Sequence, residues 1–192
     1  MGYNPKDHYF HKAKQEGYVA RSAYKLDEIQ QKHKLIKPGH RVLDLGCSPG
    51  SWSQVALKIV GPRGFVLGID LKPVTIPSAP NAEFIVGDIL NMNPQIFGEP
   101  FDVIISDMAP STTGIKMRDQ ALSEELCRMG LTISEKYLKR GGHLVMKLFD
   151  GPDGEKLAKE MKPKFQRFLR LKPQAVRKGS YESYIVGIGK KG

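Results

Sequence analysis

The sequence DLGCSPGSW, residues 44–52, continues the apolar run RVLDL at residues 41–45. Short apolar runs rich in branched side chains are typical of buried parallel strands. Two glycines and a proline interrupt the run, and WSQVALKIV (52–60) then has the apolar spacing of a helix. The pattern predicts a strand, a tight loop and a helix, with a loop backbone that a ligand can approach closely.

The same alternation continues along the chain. Strands are predicted at 41–47, 64–71, 82–89, 101–109, 142–149, 166–174 and 183–190, and helices at 21–33, 52–60, 118–139 and 154–162. This order predicts one doubly wound α/β domain over residues 1–192, closed by two antiparallel strands. Residues 1–20 are expected to be a basic, flexible tail, and the long helix is expected to stop at Arg140-Gly141-Gly142.

Composition excludes several classes of protein. The chain has 192 residues and 40% hydrophobic residues, which suits one domain with a core rather than a disordered chain. No apolar run reaches the roughly 18 residues of a membrane helix, and the N-terminus lacks the apolar centre of a secretory signal. Two cysteines, Cys47 and Cys127, suit a reduced chain, so we expect a cytoplasmic protein that does not bind membranes.

Positive charge concentrates at both ends of the chain. Residues 1–37 carry 8 Lys/Arg against 4 Asp/Glu, and residues 156–192 carry 11 against 2. Residues 38–155 carry 11 against 14, within an overall net charge of +10. A solvated basic surface would also explain these numbers, but the asymmetry favours a polyanion held by both ends. We therefore expect a nucleic acid partner.

Acidic residues stand at the ends of four predicted strands. These are Asp44, Asp70, Asp88 and Asp107, and the fifth strand carries Lys147 in the same position. The carboxyl ends of parallel strands meet at one edge of the sheet, where ligands of this fold class bind. Neighbouring carboxylates repel one another, so the pattern indicates a ligand that carries positive charge.

The sequence of the glycine loop limits the classes of ligand that are expected at this site. GCSPG matches neither the G-x-G-x-x-G loop of dinucleotide-binding proteins nor a P-loop, and it has no phosphate-binding lysine. Asp70 falls 24 residues after Gly46, where an acid binds the ribose hydroxyls of a nucleotide-like cofactor. Asp88 is placed for an adenine edge. An acidic rim suits adenosine joined to a sulfonium and an ammonium group, which is S-adenosylmethionine.

Several motifs together resemble the FtsJ (RrmJ) family of RNA ribose 2′-O-methyltransferases. They are ARSAYKL (20–26), VLDLGCSPGSWSQV (42–55), GIDL (68–71), GD (87–88), ISDMAPSTTG (105–114), LVMKLF (144–149) and RKGSYESYIV (177–186). The resemblance covers nearly the whole chain and implies a Rossmann-like methyltransferase fold with a mostly parallel seven-stranded sheet, an antiparallel C-terminal strand and helices on both faces. One departure is Ser51, where family members usually have a second glycine.

The resemblance also implies the residues of the site. The family's Lys-Asp-Lys-Glu tetrad falls on Lys25, Asp107, Lys147 and Glu182. The residues implied to contact S-adenosylmethionine are Gly46, Ser48, Pro49, Gly50, Trp52, Asp70, Asp88 and Asp107. Lys147 lies within an apolar strand, and burial favours the neutral form of a lysine. A neutral amine can remove the proton of a ribose hydroxyl as a general base, whereas a nearby carboxylate opposes that neutral form.

Each of these residues also has an ordinary structural explanation. Lys25 and Glu182, taken alone, fit solvated surface charges, and Trp52 fits a core side chain. Cys47 fits a small apolar residue better than a nucleophile. His8 and His11 form a short H-x-x-H but lack a third ligand at metal spacing, so no metal site is expected.

Two other functional classes stay open on the sequence. A nucleotide-dependent oxidoreductase would share the fold but is disfavoured by the missing G-x-G-x-x-G loop. A non-catalytic RNA-binding relative would be expected to lack the tetrad, whose four positions are all filled here. A short chain without added domains favours large-subunit ribosomal RNA, or the large ribosomal subunit, as the substrate, with tRNA as the alternative. We expect a monomer.

Overall fold

The structure is a computed structural model that describes residues 8–192, with Asp153 described by its backbone alone. Its centre is a seven-stranded sheet in the order β3-β2-β1-β4-β5-β7-β6. The strands are β1 Arg41–Leu45, β2 Phe65–Asp70, β3 Ala82–Val86, β4 Phe101–Ser106, β5 Leu138–Phe149, β6 Phe165–Leu171 and β7 Glu182–Lys190. β1 to β5 pair in parallel, and β7 pairs antiparallel with both β5 and β6.

Within residues 8–192 the structure has five α-helices, which lie on both sides of this sheet, and the first of them packs against the second. They are α1 His8–Gln15, α2 Ala23–His33, α3 Ser51–Val60, α4 Lys116–Tyr137 and α5 Pro152–Met161. Side chains of a strand alternate between faces, so Val42 of β1 packs with α2 and α3, while Leu43 packs with α4 and α5. The predicted doubly wound α/β architecture, with its antiparallel C-terminal strand, is confirmed.

The predicted end of the long helix was wrong by a few residues. α4 ends at Tyr137, and the stretch that contains Gly141 and Gly142 already belongs to β5. Leu138 pairs with Phe101 of β4, and the pairing register shifts before Val103. Buried Leu138 therefore draws the chain into the sheet at once, and Gly141, with φ of 81°, fits the irregular start of the strand.

The N-terminal region contains a helix that the sequence did not indicate. α1 lies within the stretch expected to be a tail, and its Ala13 is buried against Tyr24 of α2. The ring of Tyr9 also contacts Tyr24, with centroids 5.4 Å apart. Residues 1–7 of the expected tail lie outside the described residues. The assignment of the whole chain to one domain stays a prediction.

No helix within residues 8–192 combines the length and the apolar character that crossing a membrane requires.

Candidate active site

The strand order brings the predicted acids to one edge of the sheet. The chain crosses over between β3 and β4, which places β4 beside β1 and opens a crevice at the carboxyl ends of these two strands. Asp44 and Asp70 lie in the last two positions of β1 and β2, and Asp107 directly follows β4. Lys147 lies near the end of β5. This edge is therefore the candidate site.

The loop after β1 needs its glycines. Gly46 has φ of 73° and Gly50 has φ of 119°, conformations that side chains with a Cβ rarely adopt. A Cβ on Gly46 would lie 2.3 Å from Met108 Cγ, and one on Gly50 would lie 2.6 Å from Ile76 Cγ2. Ser51, the departure from the family pattern, is the first residue of α3 and has no positive φ. A serine therefore fits there without backbone strain.

Asp70 links the glycine loop to the segment after β2. Its Oδ2 accepts a hydrogen bond from the backbone N–H of Ser48 at 2.9 Å, and its Oδ1 accepts one from that of Lys72 at 2.9 Å. The Ser48 hydroxyl in turn donates to the Pro73 carbonyl at 3.0 Å. Asp70 thus sets the shape of the loop, and each carboxylate oxygen keeps a further lone pair for a ligand.

Asp88 has a local structural role as well. It precedes a 3₁₀ turn, Ile89–Asn91, and its Oδ1 accepts the Leu90 N–H at 3.0 Å. Its Oδ2 accepts from Asn91 Nδ2 at 2.8 Å. This turn ends β3 at Val86, earlier than predicted. Asp88 is exposed at the edge strand of the sheet.

The four predicted tetrad residues form two ion pairs. Lys25 Nζ lies 2.5 Å from Glu182 Oε1, and Lys147 Nζ lies 3.1 Å from Asp107 Oδ1. Lys147 also donates to the backbone carbonyl of Asp107. The four side chains are between 8% and 18% exposed, so solvent screens their charges only weakly. Residues far apart in sequence therefore meet as one cluster of charges.

Tyr184 joins the two pairs, and it was not among the residues predicted from the sequence. Its hydroxyl oxygen lies 2.7 Å from Asp107 Oδ1 and 2.6 Å from Glu182 Oε1. Residues two apart on a strand point to the same face, so the position of Glu182 on β7 was the signal that could have identified Tyr184. Burial, followed by the charges of Asp107 and Glu182, raises the pKa of the Tyr184 phenol well above its ordinary value.

The pKa values of two buried carboxyl groups at this edge shift in opposite directions. Burial alone would raise the pKa of Asp107, but the charges of Lys147 and Lys25 lower it below its ordinary value. Burial raises the pKa of Asp44 to about 7, although a hydrogen bond from Ser53 opposes the change. Asp44 Oδ1 is buried without a hydrogen-bond partner among the described residues. An unpaired buried oxygen of this kind suits a ligand that donates protons or carries positive charge.

Trp52 lies beneath the site in the core. It is 2% exposed, its Nε1–H donates to the Ser22 carbonyl at 2.9 Å, and its ring centroid lies 5.6 Å from that of Tyr184. The sequence left open whether Trp52 contacts the cofactor or belongs to the core, and this placement favours the core. The Trp52 ring then packs against Tyr184 on the core side.

The two basic ends of the chain meet beside the Lys25–Glu182 pair. Arg21 donates to the Ala175 carbonyl at 2.6 Å. The carboxylate of Glu28 accepts the backbone N–H groups of Gln174 and Ala175 at 2.6 and 2.8 Å. The basic segments that follow α1 and β6 thus belong to one surface next to the crevice.

No group of three or more His, Cys, Asp or Glu side chains within residues 8–192 is arranged to hold a metal ion. Burial raises the pKa of the Cys47 thiol, which opposes a role as a nucleophile.

Several proteins with similar sequences are named as ribosomal RNA methyltransferases. A chain of Bdellovibrio bacteriovorus named "Ribosomal RNA large subunit methyltransferase E" is 53% identical over the full length of both chains. One of Desulfatibacillum aliphaticivorans with the same name is 46% identical over 97% of this chain and 92% of its own.

Solved structures agree on the fold. A chain assigned as a ribosomal RNA methyltransferase from Plasmodium falciparum superposes with a TM-score of 0.78 at 32% identity, covering 91% of this chain and all of its own. Fibrillarin of Aeropyrum pernix, in complex with S-adenosyl-L-methionine, has a TM-score of 0.62 at 18% identity, covering 87% and 76%.

The sequence also matches a family model over residues 18–190, which is nearly the whole described chain and contains every site residue discussed above. Together with the crevice at the β1–β4 crossover and the relatives just described, this match confirms the family that the motifs resemble. The chain belongs to the FtsJ-like methyltransferase family.

Proposed function

We propose that this methyltransferase transfers a methyl group from S-adenosylmethionine to a ribose 2′-hydroxyl of large-subunit ribosomal RNA, with Lys147 as the general base. The observation that carries the proposal is the cluster of two ion pairs at the crevice, formed by Lys25, Glu182, Asp107 and Lys147. The names of the relatives support the choice of RNA. A tRNA is the alternative substrate, and a non-catalytic RNA-binding role is disfavoured because all four tetrad positions are filled.

The crevice fits the charge of S-adenosylmethionine. Asp44 offers a buried carboxyl oxygen without a hydrogen-bond partner among the described residues, and the glycine loop has no room for further side chains. The residues that would hold the cofactor are Gly46, Ser48, Pro49, Gly50, Asp70, Asp88 and Asp107, with Trp52 in support from the core. When bound, the cofactor supplies a methyl group on a positively charged sulfur that leaves as a neutral thioether.

The surroundings of Lys147 support its proposed role as the general base for the ribose hydroxyl. It is 8% exposed, and two oxygens of Asp107 fix its Nζ. As the new O–CH₃ bond forms, the hydroxyl O–H bond breaks and its proton passes to the neutral Lys147 amine. Asp107 would then stabilise the ammonium group that Lys147 becomes. Correct placement of the hydroxyl and general-base catalysis together account for the acceleration.

The basic surface beside Lys25 supplies the contact with RNA. Lysine and arginine neutralise phosphates without reading the base sequence, so this surface holds the strand in position. The joining of both basic ends through Arg21 and Glu28 brings that positive charge next to the crevice.

Mapping of 2′-O-methyl groups tests the proposed function. RNA from cells that lack the gene should lose a 2′-O-methyl group in large-subunit ribosomal RNA, and the wild-type gene should restore it. Loss of a methyl group from tRNA alone would favour the alternative substrate. No change in either RNA would reject the proposal. The cytoplasmic location and the monomeric state stay predictions.

Asp70→Ala should weaken S-adenosylmethionine binding by about 1–3 kcal/mol, because it removes a charged acceptor from the ligand and from the loop. Isothermal titration calorimetry measures this change directly. Asp102→Ala is a matched control, since Asp102 also accepts a backbone N–H but lies at the opposite edge of the sheet. Equal affinity of the Asp70 variant and the wild type would remove Asp70 from the cofactor site.

RNA binding should weaken steeply with salt, while cofactor binding should change little. Replacing exposed Arg177 and Lys178 by glutamine should make the slope of log affinity against log salt shallower by about 1–2 units. The same change at Lys58 and Arg63, which lie toward the opposite edge of the sheet, is the control. Parallel slopes for all three proteins would mean that Arg177 and Lys178 do not contact phosphates.

A further inference from the structure

The hydroxyl of Tyr184 holds an unusual position between two carboxylates. Its oxygen is within hydrogen-bond distance of both Asp107 Oδ1, at 2.7 Å, and Glu182 Oε1, at 2.6 Å. A phenol has one proton to donate, and an ionised carboxylate can only accept. The two carboxylates therefore compete for one proton, and only one of the two contacts can contain it at a time.

Each carboxylate oxygen that competes for this proton also faces a lysine. Lys25 Nζ lies 2.5 Å from Glu182 Oε1, whereas Lys147 Nζ lies 3.1 Å from Asp107 Oδ1. In the proposed function, Lys147 changes charge during methyl transfer, and Lys25 does not. The need of Asp107 for a donor thus changes during the reaction, while that of Glu182 stays constant.

We propose that Tyr184 is a positioning residue for methyl transfer, whose hydroxyl proton points to Asp107 while Lys147 is neutral and to Glu182 once Lys147 has taken up the ribose proton. This inference rests on the proposed function. With a neutral amine beside it, Asp107 has lost its cation, and the phenol stabilises its charge. Once the ammonium forms, Asp107 has that cation again and the phenol turns to Glu182.

No covalent bond to the Tyr184 proton needs to break in this exchange. Burial and the two neighbouring carboxylates raise the pKa of the phenol, so the proton stays on its oxygen and only the hydrogen bond changes partner. The consequence is on Lys147. A donor that stabilises Asp107 without help from the ammonium supports the neutral amine that the proposed reaction needs.

The Tyr184 ring allows a clean test of the hydroxyl. It is fully buried and packs against Trp52. Phenylalanine fills the same space, so Tyr184→Phe removes the donor and keeps the packing. Tyr137→Phe is the matched control, because Tyr137 stacks on Phe97 at 4.1 Å near the C-terminal end of α4, away from the cluster.

Four charged groups lie around Tyr184, and a fifth interacts with one of them, so all five must be considered in a pH experiment. They are Lys25 of α2, Asp107 after β4, Lys147 of β5, Glu182 of β7, and Asp44 of β1, whose charge interacts with that of Asp107. Asp44 matters most for the design, since its pKa of about 7 falls in the range to be measured. The comparison is therefore repeated in an Asp44→Asn background.

The experiment measures single-turnover methylation of large-subunit ribosomal RNA from pH 6 to 9.5, at saturating S-adenosylmethionine and RNA. Tyr184→Phe should shift the rising limb of the profile upward by about one pH unit, which is about a tenfold loss at pH 7 and recovery near pH 9.5. The same shift should occur in the Asp44→Asn background, and Tyr137→Phe should behave as the wild type. Calorimetry with the cofactor verifies that each variant has an assembled site.

A second variant, at Glu182, tests the competition for the Tyr184 proton at the other carboxylate. Glu182→Gln removes the charge that competes for the phenol proton, so its profile should move to lower pH. In the Tyr184→Phe background this movement should become smaller, because the phenol that couples Glu182 to Asp107 is gone. Equal movements in both backgrounds would overturn the inference.

The outcomes separate the two proposals. An active wild-type protein whose Tyr184→Phe variant loses the same factor at every pH, or loses nothing, would overturn the role of Tyr184 alone. A wild-type protein that methylates no ribosomal RNA would overturn the proposed function and this inference with it.

Discussion

Replacing Lys147 by arginine should lower the single-turnover rate of methylation by at least about 10²-fold, while binding of cofactor and RNA stays close to that of the wild type. Arginine keeps the positive charge beside Asp107 but does not deprotonate in proteins, so it cannot accept the ribose proton. Lys147→Ala should be as slow as Lys147→Arg. Rates measured with both ligands saturating, together with separate binding titrations, decide the matter.

Lys139→Arg is the matched control for this substitution. Lys139 lies at the other end of the same strand and pairs with Asp102 at 2.7 Å, so the control changes a lysine in a similar ion pair far from the crevice. If Lys147→Arg proves much faster than Lys147→Ala, then Lys147 acts through its charge and not as a base. The methyltransferase activity itself would be unaffected by that result.

Trp52→Ala should destabilise the protein by about 3–5 kcal/mol, the range for removing a large aromatic side chain from a core. That is a large part of the total stability of a domain of this size. Urea denaturation followed by circular dichroism gives the free energy of unfolding. Trp52→Phe keeps a ring against Tyr184 but loses the hydrogen bond to Ser22, so it should cost much less.

Trp52 also separates two interpretations of its place in the motif. If it lies in the core, Trp52→Phe should bind S-adenosylmethionine with nearly normal affinity. An alanine variant that is as stable as the wild type but binds the cofactor poorly would instead place Trp52 in direct contact with the cofactor.

The sequence predicted the central strands well because these strands are buried on both faces. A parallel strand such as β4 must be apolar at nearly every position, and a run of that kind stands out from the loops around it. The ends of elements were less predictable. Gly141 and Gly142 looked like a helix stop, and only the pairing of Leu138 with Phe101 shows that the chain has already joined the sheet.

Some residues of the site were predictable from the sequence, and others were not. Acids at strand ends are visible in the sequence, because parallel strands align their carboxyl ends. The tetrad came from the family resemblance, since no local pattern connects Lys25 with Glu182. The partner roles of Tyr184 and Asp44 depend on distances and burial that spacing does not encode. α1 escaped prediction for a related reason, because it is stabilised by contacts with α2 rather than by a strong pattern of its own.

The position of β7 has a consequence for folding kinetics. β7 follows β6 in sequence but lies between β5 and β6, so it pairs on both sides with strands that precede it. Its Tyr184 meets Asp107 across 77 positions of sequence, and Arg21 meets Ala175 across 154. Contacts of such long range are entropically costly to form and slow a folding reaction. We therefore expect a partly folded chain to acquire its glycine loop before its ion pairs, so that cofactor affinity develops ahead of catalytic competence.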